Sequence, residues 1–198
     1  MARPRKDPAA PSTRDRVREA ARGVFAREGF TDATLAEIAR AVGIRRPSLL
    51  HHFPTKDALY REVVSGAFAE LGAALAGPLF AGGGYRERLE TLAREFGAFV
   101  ESRPEVARLV VRELLDEGPG QAILVEQVAP LLDEVVAFVE VQGSQRLASG
   151  LSARAALMTV VSDTLLRTAA GPLRQPLWGP PLADLAWNTA RALLWTEA

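Results

Sequence analysis

Apolar residues recur along this chain with the spacing of amphipathic α-helices. Leu35, Ile38, Ala39 and Val42 fall at positions i, i+3, i+4 and i+7, which places them on one face of a helix. Similar stripes continue to the end of the chain, and we find neither an alternating strand pattern nor an internal repeat. The pattern predicts an all-α protein of about nine helices.

The stripe that starts at Leu35 has a start signal and a stop signal. Thr34 is a good N-cap, and Glu37 three residues later completes a capping box. Gly43 follows the stripe and can adopt the positive φ that ends a helix. These signals predict a helix from Leu35 to about Val42.

A second, shorter helix follows at once. Pro47 suits the first turn of a helix, and Pro54 ends it near Phe53. About seven residues give a rod of about 10 Å, whose first turn carries Arg45, Arg46 and Ser48. Helix, glycine turn and short helix make a helix-turn-helix, in which the second helix is placed to enter the major groove of DNA.

The segment TLAEIARAVGIRRPSLLHHFPTKDALYREV, residues 34–63, resembles the DNA-binding signature of the TetR family of transcriptional regulators. The positions that match are Thr34, Ile38, Ala39, Gly43, Leu49, His52, Phe53, Lys56 and Leu59. Three positions depart from it: Arg45 replaces a small hydroxyl residue, Pro47 replaces a small residue, and Leu50 replaces a frequent aromatic. These departures affect individual DNA contacts but not the motif.

The net charge of zero conceals an uneven distribution. Residues 1–61 carry 13 Lys/Arg against 7 Asp/Glu, a net of +6, and residues 62–198 carry 11 against 17, a net of −6. A basic first third is expected where one end of the protein meets phosphates. Residues 1–11 are rich in proline and arginine, and we predict a disordered basic arm there.

Composition also bears on the compartment. The chain has no cysteine, which excludes disulfides, thiol catalysis and sulfur-ligated zinc. The first residues lack the apolar run of a secretory signal, and no eighteen apolar residues run uninterrupted. We therefore expect a cytoplasmic protein with no membrane span.

The candidate DNA-binding residues lie in or beside the helix-turn-helix. They are Thr34, Arg45, Arg46, Pro47, Ser48, His51, His52 and Lys56. The forked donors of arginine suit guanine, and the N–H groups around Lys56 can help it hold a phosphate, although a solvated lysine is the simpler alternative. The resemblance implies that His52 packs beneath the short helix or donates to a phosphate. We expect no metal at His51 and His52, because neighbouring helical side chains point about 100° apart.

The rest of the chain reads as helices with two clear breaks. We expect helices at 12–28, 56–76, 85–102, 104–117, 121–148 with a kink or break at Pro130, 152–170 and 181–196, with loops at 77–84 and 171–181. Gly82-Gly83-Gly84 lacks the completion of a phosphate loop and is expected to be a connector. The predicted organisation is a basic arm at 1–11, a three-helix DNA-binding domain at 12–55, and a helical effector-binding and dimerisation domain at 56–198.

The larger domain has candidates for an effector pocket, which the resemblance implies. They are Phe68, Leu71, Phe96, Phe99, Val100, Leu109, Phe138, Met158 and Asp163. Ordinary core packing is the alternative for each apolar residue. For Asp163 the alternatives are an ion pair with Arg167, four residues on, or a pocket or dimer contact.

The last two predicted helices are rich in small and bulky apolar residues. The candidates for dimerisation are Ala155, Ala156, Val160, Leu185, Ala190, Leu193 and Leu194. Their pattern alone is equally compatible with a core closed within one chain. The TetR resemblance favours a homodimer, and a short reading helix also needs a second copy to read a palindrome.

These expectations converge on a regulator. The sequence predicts a dimeric repressor that binds palindromic double-stranded DNA and responds to a small apolar effector, with no catalytic site, no cofactor and no metal. Two alternatives belong to other classes: an architectural protein that coats DNA without sequence preference, and an enzyme that carries a helix-turn-helix. We find no catalytic constellation for the enzyme.

Overall fold

The structure is a computed structural model that describes residues 11–80, 82–116 and 118–195. The predicted basic arm therefore lies, except for Pro11, outside the described residues. In chain order the α-helices of the described part are α1 Thr13–Asp32, α2 Leu35–Val42, α3 Arg46–His52, α4 Lys56–Phe80, α5 Tyr85–Ser102, α6 Pro104–Leu115, α7 Gln121–Gly143, α8 Ala153–Ala169, α9 Arg174–Trp178 and α10 Leu185–Leu194. The all-α prediction is confirmed, with ten α-helices in that part where about nine were expected.

The N-terminal domain packs α1, α2, α3 and the first half of α4 around one apolar cluster. Phe25 of α1, Ile38 of α2 and Leu49 of α3 are each 0% exposed at its centre. The same cluster also includes Leu109 of α6 and Ile123 of α7. The helix-turn-helix therefore rests on the larger domain through shared core residues.

The larger domain is built from the second half of α4 and from α5 to α10. Its core is a second cluster, in which Val100, Val106, Ala156 and Leu194 are almost completely buried. α8 and α10 pack against each other and against α5. Because α4 contributes Leu59 to the first cluster and Leu75 to the second, one continuous helix joins the two domains.

Most helix signals of the N-terminal domain are present as expected, but the capping box predicted at Thr34 is only half formed. Among the described residues, the Glu37 carboxylate pairs with Arg27 at 3.3 Å and accepts no hydrogen bond from the Thr34 N–H. The Thr34 hydroxyl accepts a hydrogen bond from the Glu37 N–H at 3.2 Å, and Gly43 ends α2 with φ of 73°. Gly29, expected to stop the first helix, has φ of 76° and interrupts α1 before its last three residues. Only glycine adopts this conformation without strain.

The structure differs from the sequence expectations in the second half. α4 continues through Pro78 to Phe80, because Leu75 and Leu79 on either side of that proline pack into the core. α7 continues through Pro130, since apolar residues before and after it pack against the two clusters, so the break considered there is wrong and the kink stays a prediction. The loop predicted at 171–181 contains a turn of 3₁₀ helix and then α9, whose Pro176 lies in the first turn, where its missing N–H costs nothing. α10 starts at Leu185, later than expected.

In the described part, α4 alone is long and apolar enough to cross a membrane by length and composition. Its residues Leu59, Val63, Leu75 and Leu79 are buried in the two apolar clusters. Core helices of soluble proteins have the same composition. The helix is therefore accounted for by packing within the chain.

The two tyrosines of the chain, Tyr60 and Tyr85, should resist ionisation. Burial raises the pKa of Tyr85 to about 12, and burial together with a hydrogen bond to Glu113 raises the pKa of Tyr60. A tyrosine whose pKa is higher in the folded than in the unfolded state contributes to stability. This contribution is complete below the pKa of the unfolded state, near 10.0, and is lost as the pH rises toward the pKa of the folded state. Each tyrosine should then lower the free energy of unfolding by about 1.4 kcal/mol per pH unit above pH 10.

This prediction is checked by following tyrosinate absorbance and far-ultraviolet circular dichroism together as the pH rises. We expect no tyrosinate near pH 10.0 in the folded protein. The two signals should change together above that pH. Tyrosinate formation near the ordinary pKa, with the helical signal intact, would contradict it.

Candidate functional site

The N-terminal half of α3 and the residue before it form an exposed basic surface. Arg45, Arg46, Pro47, Ser48 and His51 are exposed, and we call these five residues the α3 surface. Among the described residues, neither Arg45 nor Arg46 forms an ion pair with a carboxylate. Two unpaired guanidinium groups at the start of a protruding helix can bind phosphates or guanine edges.

The buried side of α3 is held in place by apolar contacts and by two arginines of α1. Leu49 and Phe53 are 0% and 1% exposed, and the guanidinium of Arg14 lies 4.5 Å from the centre of the Phe53 ring. Arg14 also donates to the His52 carbonyl at 3.1 Å. Arg16 donates to the Val42 carbonyl at 2.6 Å, next to the turn between α2 and α3. These two arginines fix the orientation of α3, and the sequence analysis missed them because nothing local identifies their partners.

Three predicted DNA-binding residues lie outside the α3 surface. Thr34 caps α2, and His52 is half-buried, with its ring centre 5.6 Å from that of His51. No group of three or more His, Cys, Asp or Glu among the described residues could hold a metal ion. The role of Thr34 and His52 in DNA binding stays a prediction.

Lys56 has a structural role that was not expected. Its Nζ donates to the carbonyls of Thr31 and Ala33, each at 3.0 Å, and lies 4.7 Å from the centre of the Phe30 ring. The ammonium group satisfies backbone carbonyls in the connection between α1 and α2. Lys56 is thus not a freely solvated lysine, and its ammonium group is bound to backbone carbonyls rather than primarily available to a phosphate.

Replacing Lys56 with methionine should therefore destabilise the N-terminal domain. Two carbonyls lose their donor, which we expect to lower the free energy of unfolding by about 1–3 kcal/mol. Arg61→Ala, on the exposed side of the same helix, removes a cation that pairs only with Asp57 and should cost less than about 0.5 kcal/mol. Urea denaturation measures both, and equal effects would assign Lys56 to the solvated surface.

The larger domain contains an apolar cavity of about 240 Å³. Residues of α4, α5, α6, α7, α8 and α10 line it. Of the 23 described residues that line it, 22 have apolar side chains, and Ser162 is the exception. A cavity of this composition favours a nonpolar occupant.

Three of the nine predicted pocket residues line this cavity: Leu71, Phe96 and Met158. The other six, Phe68, Phe99, Val100, Leu109, Phe138 and Asp163, do not line it. Phe68 and Leu109 belong to the N-terminal core, whereas Phe99, Val100 and Phe138 pack in the core of the larger domain. Asp163 accepts a hydrogen bond from Arg167 at 2.7 Å, which is the internal ion pair that was the simpler alternative.

The lining also includes residues of α7 that sequence reasoning missed. Leu124, Val128, Leu131, Leu132 and Val135 recur at helical spacing on one side of α7. This spacing is visible in the sequence and could have identified them.

The predicted dimerisation residues lie on different sides of α8 and α10. Ala156, Val160, Ala190 and Leu194 are buried in the core of the chain itself, where a partner could not contact them. Leu185 and Leu193 are partly buried, and Ala155 is exposed. The helices carry apolar residues on both faces, so composition alone could not assign the inward face.

An exposed face remains on the same helices. It comprises Ala155, Thr159 and Leu166 of α8, Asn188 and Ala192 of α10, Leu177 of α9, and Leu173 and Leu182 on either side of α9, and we call it the α8–α10 face. Leu173, Leu177 and Leu182 are 60%, 66% and 58% exposed. Large apolar side chains exposed to this degree are candidates for an association surface.

One turn of α6 contacts both the cavity and the N-terminal domain. Val110 and Leu114 line the cavity. Between them, Arg112 donates to the carbonyls of Ala26 and Arg27, at 3.3 and 2.6 Å, near the end of α1.

The next residue, Glu113, is 3% exposed and accepts a hydrogen bond from the Tyr60 hydroxyl of α4. The Tyr60 ring packs edge-on against Phe25 and Phe30 of α1. Movement of this α6 turn would therefore be transmitted to α1 and α4, the helices that support α3.

Comparisons with known proteins agree with this geometry. Residues 17–63 match the family model described as bacterial regulatory proteins, tetR family. That range covers most of α1, the helix-turn-helix and the start of α4. No curated protein matches the chain in sequence.

Solved structures match over almost the whole chain at low identity. A bacterial regulatory protein in the tetR family from Rhodococcus RHA1 is 18% identical with a TM-score of 0.75, over 95% of this chain and 100% of that one. The ketosteroid transcriptional regulator KstR2 of Mycobacterium tuberculosis is 20% identical with a TM-score of 0.71, over 92% and 91%. AibR, solved with isovaleryl coenzyme A and operator DNA, is 14% identical with a TM-score of 0.70, over 92% and 98%.

The family model and the structural matches concern different parts of the chain. The model covers the domain that carries the α3 surface, and the structures extend the likeness through the larger domain. The DNA-binding domain of this chain belongs to the tetR family of bacterial regulatory proteins, and the chain as a whole has the fold of solved members of that family.

Proposed function

We propose that this protein is a cytoplasmic, dimeric transcriptional repressor that binds a palindromic operator and releases it when a small apolar effector occupies the larger domain. The observation that carries the proposal is the α3 surface. Its two arginines are exposed, have no ion-pair partner among the described residues and stand on a helix fixed from below. Arginines near the N-terminus of such a helix are in position to contact base edges.

Dimerisation follows from the length of α3. Seven residues reach only a few base pairs, and a second copy one helical turn away or a multiple of it, about 34 Å, would extend the contact to a palindrome. The α8–α10 face supplies a self-complementary surface for a two-fold pair, with small residues that let helices approach closely. It takes the place of the buried residues first considered for this role.

The effector response rests on the α6 turn. A ligand against Val110 and Leu114 would shift the turn that carries Arg112 and Glu113, and thereby separate or tilt the two α3 helices. Such coupling is reciprocal, because a ligand that prefers the geometry unable to bind DNA is itself bound less well in the presence of DNA. The structure of AibR with isovaleryl coenzyme A and operator DNA is consistent with such a response in a protein of this fold.

A protein that coats DNA without sequence preference is the competing function for the same basic domain. It would bind operator and random duplex equally at matched salt. Catalysis has less support, because proteins of this fold such as KstR2 and a fatty acid metabolism regulator of Clostridium perfringens are described as regulators.

Selection of bound fragments from a random DNA pool, followed by sequencing, tests the proposal. We expect enrichment of one inverted repeat whose half-sites are about one or two helical turns apart. The effect of candidate effectors is then measured on that operator. A pool that shows no enrichment would favour the coating function, and an enriched site without two-fold symmetry would contradict the dimeric arrangement.

A further inference from the structure

The volume and the lining residues of the cavity in the larger domain restrict its ligand to a narrower class than apolar molecules in general. We infer that it takes a neutral molecule of about eight to ten carbon atoms with one hydrogen-bonding group, such as a medium-chain alcohol or ketone, and excludes carboxylates and coenzyme A thioesters. This inference rests on the proposed function, because it concerns the effector of the same regulator. The inferred ligand differs from isovaleryl coenzyme A, with which AibR was solved and whose coenzyme A moiety is anionic.

The size of the ligand follows from the volume. A cavity of about 150 Å³ lined by Leu, Ile and Phe holds benzene, and the present one of about 240 Å³ admits a somewhat larger hydrocarbon. A long acyl chain or a skeleton of three or more fused rings would exceed it. The cavity is bounded by close-packed aliphatic side chains of α5 and α8, which enlarge it only by disturbing the core.

The exclusion of charge follows from the lining. Among the described residues, no lysine, arginine or histidine lines the cavity, so a buried carboxylate would have no counter-charge. The nearby Arg112 donates to carbonyls of α1 and is not directed at the cavity. An anionic group in the cavity would therefore find no cation among the lining residues.

The single hydrogen-bonding group follows from Ser162. It contributes the one polar side chain of the lining, and its hydroxyl forms no hydrogen bond with any described residue. A helical serine usually bonds the carbonyl one turn back, as Thr159 and Thr164 do on the same helix at 2.9 and 2.8 Å. The Ser162 hydroxyl is thus free to bind a hydroxyl or carbonyl oxygen of a ligand.

Calorimetric titration of the full chain without DNA tests the charge. We expect 1-octanol to bind at least about a hundredfold more tightly than octanoate at about pH 8, where the carboxyl is ionised. Octanoyl coenzyme A should bind no better than octanoate. Octanoate or its thioester binding as tightly as octanol would overturn the inference.

Two variants locate the bound probe. Ser162→Ala should weaken 1-octanol about three- to tenfold and leave naphthalene, which has no hydrogen-bonding group, unchanged. Ala129→Leu, which fills the cavity, should weaken both probes at least about tenfold, whereas Ala137→Leu on an exposed site of the same helix should change neither. Octanol binding that is unaffected by Ala129→Leu would place the probe elsewhere and overturn the inference.

The operator separates this inference from the proposed function. If octanol binds as expected but does not release the selected operator, the ligand class stands and the effector response fails. If octanoyl coenzyme A releases the operator, the effector response stands and the ligand class fails.

Discussion

Arg46→Ala is expected to weaken binding to the selected operator about tenfold to a hundredfold and to relax base preference at one position of each half-site. Arg46 is the first residue of α3, is exposed and has no ion-pair partner among the described residues. A guanidinium bidentate to guanine contributes to discrimination as well as affinity, so its removal should cost more on the operator than on random DNA. Binding to both duplexes at matched salt measures this difference.

Arg40→Ala is the matched control for charge. Arg40 is exposed near the end of α2 and, among the described residues, also lacks an ion pair, so the variant removes the same charge from the same domain. We expect it to weaken operator and random duplex alike and to reduce the salt dependence of binding. Equal losses on both duplexes for Arg46→Ala would mean that Arg46 contacts phosphates only.

The helix-turn-helix was predictable because its signals are local. The Thr34 cap, the turn at Gly43, and Pro47 and Pro54 each act within one helical turn. These interactions are set by neighbours in the chain. The supporting contacts of Arg14 and Lys56 join residues more than twenty positions apart, so no local pattern predicts them.

The cavity could not be predicted to the same degree. Phe99 and Met158 are both apolar residues on amphipathic helices, yet only Met158 faces the cavity. Which side of a helix borders a void depends on how several helices pack, and this is not encoded in the periodicity of one. For the same reason, the sequence pattern predicted Ala156 and Leu194 as dimerisation residues, although both are completely buried in their own chain.

The α6 turn connects the N-terminal core, the cavity and α1. No link among them was predicted from the sequence. The turn provides Leu109 to the N-terminal core, Val110 and Leu114 to the cavity, and Arg112 to the carbonyls of α1. A change at the cavity therefore has a short physical path to α3. This path requires no flexible linker, because every step is a packing contact or a hydrogen bond.

Leu166→Asp is expected to convert the protein to a monomer and to lower operator affinity at least about a hundredfold, because binding through two linked half-sites is lost. Leu166 lies on the α8–α10 face with 46% of its surface exposed. A carboxylate there would meet its two-fold mate or apolar residues of the partner, and either contact is unfavourable. Sedimentation at micromolar concentration measures the oligomeric state, and titration of the selected operator measures affinity.

Val141→Asp separates loss of the dimer from a general effect of surface charge. Val141 is 80% exposed on α7, outside the α8–α10 face, and its replacement adds the same charge. We expect this variant to remain dimeric and to bind the operator as the parent does. Since Leu166 is already half exposed, Leu166→Asp should retain the helical signal and unfold at nearly the parent's urea concentration. A dimer that survives Leu166→Asp, or that is lost equally in Val141→Asp, would move the association surface elsewhere on the molecule.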